Sequence, residues 1–157
     1  MKDTSYKTVI HNAEELSKYV GKEIGLSGWI EIDQASINRF GILTRDEQWI
    51  HMDVDRSERE SPFGETIAHG FLVLSMFSYF FESCIELKGF KMGLNYGFDK
   101  IRFINVAPAG SRIRGRFILQ DLQVREGSTK CTYAVTVEIE GQEKPAIVAE
   151  WIGLAVE

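Results

Sequence analysis

The chain of 157 residues is poor in cysteine, poor in proline and short of positive charge. Its two cysteines, Cys84 and Cys131, sit inside apolar patterns and not in ligand-spaced pairs. That usage points to a reduced compartment, with both thiols acting as small hydrophobes. Net charge is −5 with a pI near 5.3, which argues against nucleic acid or an anionic membrane as the main partner. The N-terminal MKDTSYKTVIHNAEELSKYVG lacks the continuous apolar core of a signal peptide, so the cytoplasm is the expected location. Long hydrophobic runs are missing too. The uncharged stretch Phe71 to Phe81 is eleven residues, short of the ~20 that span a bilayer. No repeat or low-complexity run interrupts the chain, only three prolines are present, and residues 1–157 read as one domain able to bury a sizeable core.

What is present is organised around Thr44 to Ile85. The front of this stretch holds Asp46 and His51, five residues apart in RDEQWIH. Its back half opens with Ile67-Ala68-His69-Gly70 and then runs apolar, with only Ser75, Ser78 and Tyr79 carrying polar atoms up to Phe81. Positions 67, 71, 74, 77, 81 and 85 recur at helical spacing, while 72, 73, 76 and 80 fill the other side. A helix apolar on all faces is a buried helix. The pattern therefore predicts one central helix from about Ile67 to Leu87, buried along most of its length, with a polar dyad near its N-terminus.

Around it, Asn12 to Gly21 reads as a short helix. Asn12 is its N-cap, Glu15 the acid of a capping box and Gly21 its stop. Glu23 to Ile32 reads as a strand, Gln34 to Leu43 as a second helix, and Asp46 to Pro62 as an overhanging loop with a helical stretch at Asp55 to Glu60. Tyr96–Phe103, Ser111–Val124, Lys130–Ile139 and Ala146–Val156 read as strands, with hairpin turns at Glu126-Gly127-Ser128 and Glu140-Gly141-Gln142. In the third of them Cys131, Tyr133, Val135, Val137 and Ile139 alternate with polar residues, the mark of a sheet with one face on a core. The order of elements gives an α+β domain.

Two motifs carry a resemblance. Thr44, Asp46, Gln48-Trp49-Ile50-His51 and Asp53, followed by Phe63-Gly64, Thr66-Ile67-Ala68-His69-Gly70, resemble the MaoC-like dehydratase family, and within it the nodulation protein N-like subgroup. Asn95-Tyr96-Gly97, Arg102-Phe103, Val106, Pro108, Gly110-Ser111 and Arg114 fit the same family. The resemblance implies a hotdog fold, a curved antiparallel sheet wrapped around a long helix and usually paired with a second copy, here a homodimer. It also implies reversible hydration of trans-2-enoyl thioesters to (R)-3-hydroxyacyl thioesters, carried on coenzyme A or acyl carrier protein. By position, Asp46 and His51 would be the catalytic pair, and the backbone N–H of Gly70 would bind the thioester carbonyl. The chain departs from the family at Gln48-Trp49-Ile50, where many members have Asn-Pro-Leu, and at Arg45, where glycine is common. Arg45 is expected to point to solvent.

Hydration of an enoyl thioester needs a base for the attacking water, an acid at C2 and a donor for the growing oxygen charge. A carboxylate and an imidazole can share the water, and the unpaired first N–H groups of a helix can meet the oxygen. No metal or organic cofactor is required. Each residue also has a plainer reading. Alone, an acid and a histidine in a polar loop are surface residues. His69 is expected to bond backbone near the helix start, and Asp53 and Asp55 to be solvated or capping. Gln48 either orients substrate or bonds its own loop; Ser78 either faces an acyl tunnel or bonds its own helix; Tyr96 is a further expected substrate-binding residue. Arg102, Arg112, Arg114 and Arg116 form a solvated sheet face, or one or two of them meet the phosphates of coenzyme A or the phosphopantetheine of a carrier protein. Two rival functions stand beside hydration: a non-catalytic hotdog protein that binds acyl-CoA or a partner, and a hotdog thioesterase. Thioesterases of this fold place an acid on or near the central helix, whereas Glu82, the acid here, is far from Gly70.

Overall fold

Alternating sequence becomes strand wherever one face can be buried, and that rule builds most of this molecule. A computed structural model describes residues 7–157. In chain order the elements are β1 (Thr8–Ile10), α1 (Ala13–Ser17), β2 (Lys22–Leu26), β3 (Ile30–Glu31), α2 (Gln34–Thr44), α3 (Trp49–Met52), α4 (Val54–Glu60), α5 (Gly70–Ser75), α6 (Phe77–Cys84) and β4 (Ile85–Leu87). The strands β5 (Met92–Phe103), β6 (Arg112–Arg125), β7 (Ser128–Ile139) and β8 (Ile147–Val156) complete it. The main sheet is antiparallel in the order β2-β6-β7-β8-β5, and β3 pairs with β6 beyond β2. Its register sets Phe117 opposite Val135 and Tyr133 opposite Trp151. A small parallel pair joins β1 to β4.

The alternation expected of β7 is met residue by residue, with Cys131, Tyr133, Val135, Val137 and Ile139 all buried. These side chains share one core cluster with Leu72, Val73, Phe77, Phe80 and Cys84 of α5 and α6. Phe81 lies edge-on to Phe117 at 5.5 Å and to Trp151 at 5.6 Å, and Phe77 meets Trp151 at 5.9 Å. Phe80 and Phe117 are wholly enclosed, and burial of each contributes about 1.5–3 kcal/mol. Both thiols are free and buried, and burial pushes the Cys84 thiol up to about 11.

The central helix is shorter and more exposed than the sequence pattern predicts. Ile67 to His69 are extended, because Ile67 N–H donates to Ile50 O, Ala68 N–H to Ala107 O, and Ile67 pairs with Pro108. The helix steps at Met76, where Met76 N–H reaches back only to Val73 O. It ends at Cys84, and Ile85–Leu87 is spent on β4. Leu72, Val73, Phe77, Phe80 and Cys84 are buried, but Phe71 and Tyr79 are 67% and 52% exposed. An all-round apolar helix thus keeps one uncovered stripe within a single chain. Beside it, among the described residues, β5 pairs with β8 on one edge only, and its Met92, Leu94, Tyr96, Phe98 and Phe103 are exposed.

Two of the capping assignments hold: Asn12 Oδ1 accepts from Glu15 N–H at 2.8 Å, and Asp53 accepts from Arg56 N–H at 2.9 Å. Glu15 departs from the capping-box geometry, since its carboxylate takes the N–H of His11, one residue ahead of the cap. The strand read at Glu23 to Ile32 is split into β2 and β3. Among the described residues no helix is long and apolar enough to cross a membrane.

Candidate active site

The loop read between Asp46 and Pro62 contains an extra helical turn, and that turn makes the site. Gln48 O accepts from His51 N–H at 2.9 Å, closing α3 and rotating the His51 ring inward to 8% exposure. There Nδ1 lies 2.7 Å from Ile67 O. A carbonyl only accepts, so Nδ1 carries the proton and Nε2 keeps its lone pair. Burial holds the His51 pKa below the ordinary histidine range. The Ile67 bond and nearby Asp46 oppose that shift, and His69 adds to it.

The first residue of α2 clamps this arrangement. Gln34 Nε2 donates to His51 O at 2.7 Å, while Thr66 Oγ1 donates to Gln34 Oε1. One amide thus ties α3 to the extended segment leading into α5. At the other end of α2, Arg45 adopts the left-handed conformation (φ 63°). Glycine adopts that conformation without strain, and here a side chain of full length holds it. The reversed turn carries Asp46 out of the helix, and its carbonyl is met by His69 Nε2 at 2.8 Å. Gly41 lets these parts close up: a Cβ there would lie 2.7 Å from Met52 Sδ and 2.9 Å from Asp46 O.

Asp46 itself is exposed, yet a carboxylate oxygen of Asp46 and one ring nitrogen each of His51 and His69 lie within 4.8 Å of one another. Three such groups raise the question of a metal. The two imidazoles are stacked, with centroids 3.9 Å apart and planes at 27°. Lone pairs lie in the ring planes, so near-parallel rings do not converge on one ion, and one nitrogen of each ring is already engaged by a carbonyl. The donor set does not fit a metal. A carboxylate beside a free imidazole nitrogen fits a shared water instead.

His51 opens onto a cavity of about 460 Å³ whose walls include Phe63, Ile67, Gly70, Phe103 and Ile147. Gly70 is the first residue of α5, which no side chain caps, so its N–H has no intrahelical acceptor. A Cβ on Gly70 would stand 2.8 Å from Phe103 Cδ1 and Cε1. Only glycine lets that ring approach and leaves the amide open to a ligand.

The other expected residues fall elsewhere. Gln48 is exposed at the cap of α3, and its side chain makes no capping bond. Ser78 lines a second cavity of about 210 Å³ between α6, β5 and β8, with Glu82, Asn95 and Trp151. Tyr96 is 62% exposed on β5 and lines neither cavity. Within one chain, then, Ser78 and Tyr96 are not brought to the dyad. The arginine face is paired: Arg114 and Arg116 each reach Glu138 at 2.7 Å, Arg116 also reaches Glu23, and Arg112 reaches Glu140 at 3.0 Å. Burial raises the Glu138 pKa, but Arg116 and Arg114 outweigh it and hold the carboxyl below its ordinary range. Phe103 was read only as a motif residue, while Gln34, Gly41 and the Ile67 carbonyl went unread in the sequence. Of these only the glycine, set in an otherwise regular helix, left a local signal.

A model of the MaoC-like domain matches residues 15–142 of the chain. Nodulation protein N of Rhizobium meliloti is 50% identical over 143 residues, covering 90% of this chain and 89% of its own. The 3-hydroxyacyl-thioester dehydratase Z of Mycobacterium tuberculosis is 40% identical over 139 residues, covering 88% of this chain and 91% of its own. Among solved structures, the monoamine oxidase regulatory protein from Archaeoglobus fulgius superposes with a TM-score of 0.76 at 22% identity, covering 97% of this chain and 98% of that one. The (R)-hydratase from A. caviae involved in PHA biosynthesis gives 0.68 at 20% identity, covering 85% and 94%. These superpositions establish the shared fold, the α+β hotdog.

Proposed function

The chain belongs to the MaoC-like family, and we propose that it interconverts trans-2-enoyl and (R)-3-hydroxyacyl thioesters. One observation carries the reading: a ring nitrogen of His51 lies within 4.8 Å of an Asp46 carboxylate oxygen, Nε2 has no hydrogen-bond partner among the described residues, and the cavity that His51 enters is also lined by the uncapped Gly70. The 3-hydroxyacyl-thioester dehydratase named above supports the substrate class, and the (R)-hydratase the stereochemistry.

A water held between Asp46 and His51 gives a proton to this pair as its oxygen bonds to C3. The C2=C3 pair shifts toward the thioester, and the oxygen gains charge where the Gly70 N–H meets it. A proton then passes back from the pair to C2, so water supplies both added groups and the residues end unchanged. Burial keeps the His51 imidazole neutral near pH 7, the form that can accept. The apolar walls around Phe63, Ile67 and Ile147 exclude competing water and accept the acyl chain.

The protein acts as a two-fold homodimer in this reading. The open β5 edge, with exposed Leu94, Tyr96 and Phe98, and the uncovered Phe71 and Tyr79 support it, since an unpaired apolar edge invites a second copy. The test of function is purified protein with crotonyl-CoA. Loss of enoyl absorbance without free thiol is the expected result. Release of free thiol would support a thioesterase, and no reaction with crotonyl or longer enoyl thioesters a binding protein.

A further inference from the structure

His69 is held at one ring nitrogen and by two ring contacts, which filling space does not require. It is 2% exposed, at the entry to α5. Its Nε2 lies 2.8 Å from Asp46 O, so Nε2 carries the proton. Its Nδ1 is buried without a partner among the described residues. One face of the ring stacks on His51 at 3.9 Å, and Phe40 of α2 packs against it at 5.1 Å with planes at 53°. The two imidazoles therefore hold opposite tautomers, each fixed by a different backbone carbonyl.

Nothing else described fixes Asp46 in this way. Neither Asp46 nor Glu47 makes a backbone–backbone hydrogen bond among the described residues, and the Asp46 carboxylate has no protein hydrogen-bond partner. The segment leaves α2 through the left-handed Arg45 and would swing with it. We infer that His69 is a positioning residue of the proposed hydration reaction, gripping the Asp46 backbone with Nε2 while its ring seats His51, so that both face one water. The inference rests on the reading above for its chemistry, but its geometry can be tested without turnover. A His69 that merely fills space would be replaced by any ring of its size.

His69→Phe keeps a ring for the stack and removes the donor; His69→Gln keeps a donor and removes the ring. We expect His69→Phe to fold, to lose kcat on the order of 10²-fold through misplacement of Asp46, and to hold KM within about twofold. His69→Gln should recover about tenfold or more of that loss. Asp46→Asn should cost much less in the His69→Phe background than in the wild type, because the carboxylate is already displaced. Wild-type kcat in His69→Phe, equal losses in the two variants, or additive losses with Asp46→Asn would each overturn the inference while leaving the hydratase reading intact. The second measurement uses no substrate. The chain has three histidines, so long-range ¹H–¹⁵N spectra assign each ring by single substitution. His69 should show Nε2–H and His51 Nδ1–H, and the Asp46 carbonyl ¹³C shift should move in His69→Phe and return toward wild type in His69→Gln. An Nδ1–H tautomer at His69, or an unmoved Asp46 carbonyl, would overturn the inference even if the protein turned over nothing.

Discussion

Gly70→Ala separates the stability of the site from its chemistry. A Cβ at position 70 would lie 2.8 Å from two Phe103 ring carbons, about 0.7 Å inside the ~3.5 Å at which carbon atoms rest. In a closed core such a clash costs ~1–3 kcal/mol. Phe103 is half exposed, however, so its ring can turn away. Alanine also improves on glycine in a helix by up to ~1 kcal/mol. The two effects nearly cancel, and Tm should move by no more than a few degrees. Turnover should not survive as well. The new methyl group and the displaced ring both stand where a thioester oxygen must approach the Gly70 N–H, and losing one such donor costs ~10²–10³-fold in kcat. The assay pairs a thermal melt with enoyl-thioester kinetics. Adding Phe103→Ala should relieve the clash without restoring the rate. A Gly70→Ala protein with wild-type kcat would refute the role given to this amide.

Gly41→Ala should be the costlier glycine change, at ~1–3 kcal/mol, because its Cβ meets the Asp46 backbone carbonyl and not a free side chain; denaturant melts measure it. Stability should fall with pH below about 6.5. The buried His51 has its pKa lowered, so the unfolded chain takes up that proton first, and the loss runs from the unfolded value down to the folded one. Urea midpoints measured through that window in wild type and His51→Gln should converge as the pH falls. Sedimentation should find a dimer of the 17.9 kDa chain at micromolar concentration, and a charge placed on the open edge, such as Phe98→Lys, should shift it toward monomer.

The parts of the fold that read well from sequence are those governed by neighbours. The β7 alternation needs only one buried face, and the Asn12 and Asp53 caps need only three residues of chain. The central helix was legible in its middle but not at its ends. Ile67 and Ala68 are as apolar in an extended segment as in a helix, and their bonds to Ile50 and Ala107 are long-range facts. Its exposed stripe was equally hidden, because an apolar face looks the same whether its cover comes from this chain or another. At the site, Asp46 and His51 were visible as a pair, but not the turn of α3 that buries one and leaves the other exposed. Gln34 lies 32 residues from Thr66 and 17 from His51, and no local pattern announces a clamp across such separations. Ser78 shares a helix face with the residues lining its own cavity, and helical spacing alone could not say that this cavity is separate from the one His51 and Gly70 line.

The central claim is that Asp46 and His51 act together on one water, and Asp46→Asn tests it most directly. The change preserves size and polarity while removing the carboxylate, which is exposed and has no hydrogen-bond partner to lose among the described residues. On crotonyl-CoA, followed by enoyl absorbance, the account predicts a ~10²–10⁴-fold lower kcat with KM little changed and the fold intact by circular dichroism. Adding His51→Gln should then cost little more, since the two share a single task. Turnover by Asp46→Asn equal to that of the wild type would contradict the account.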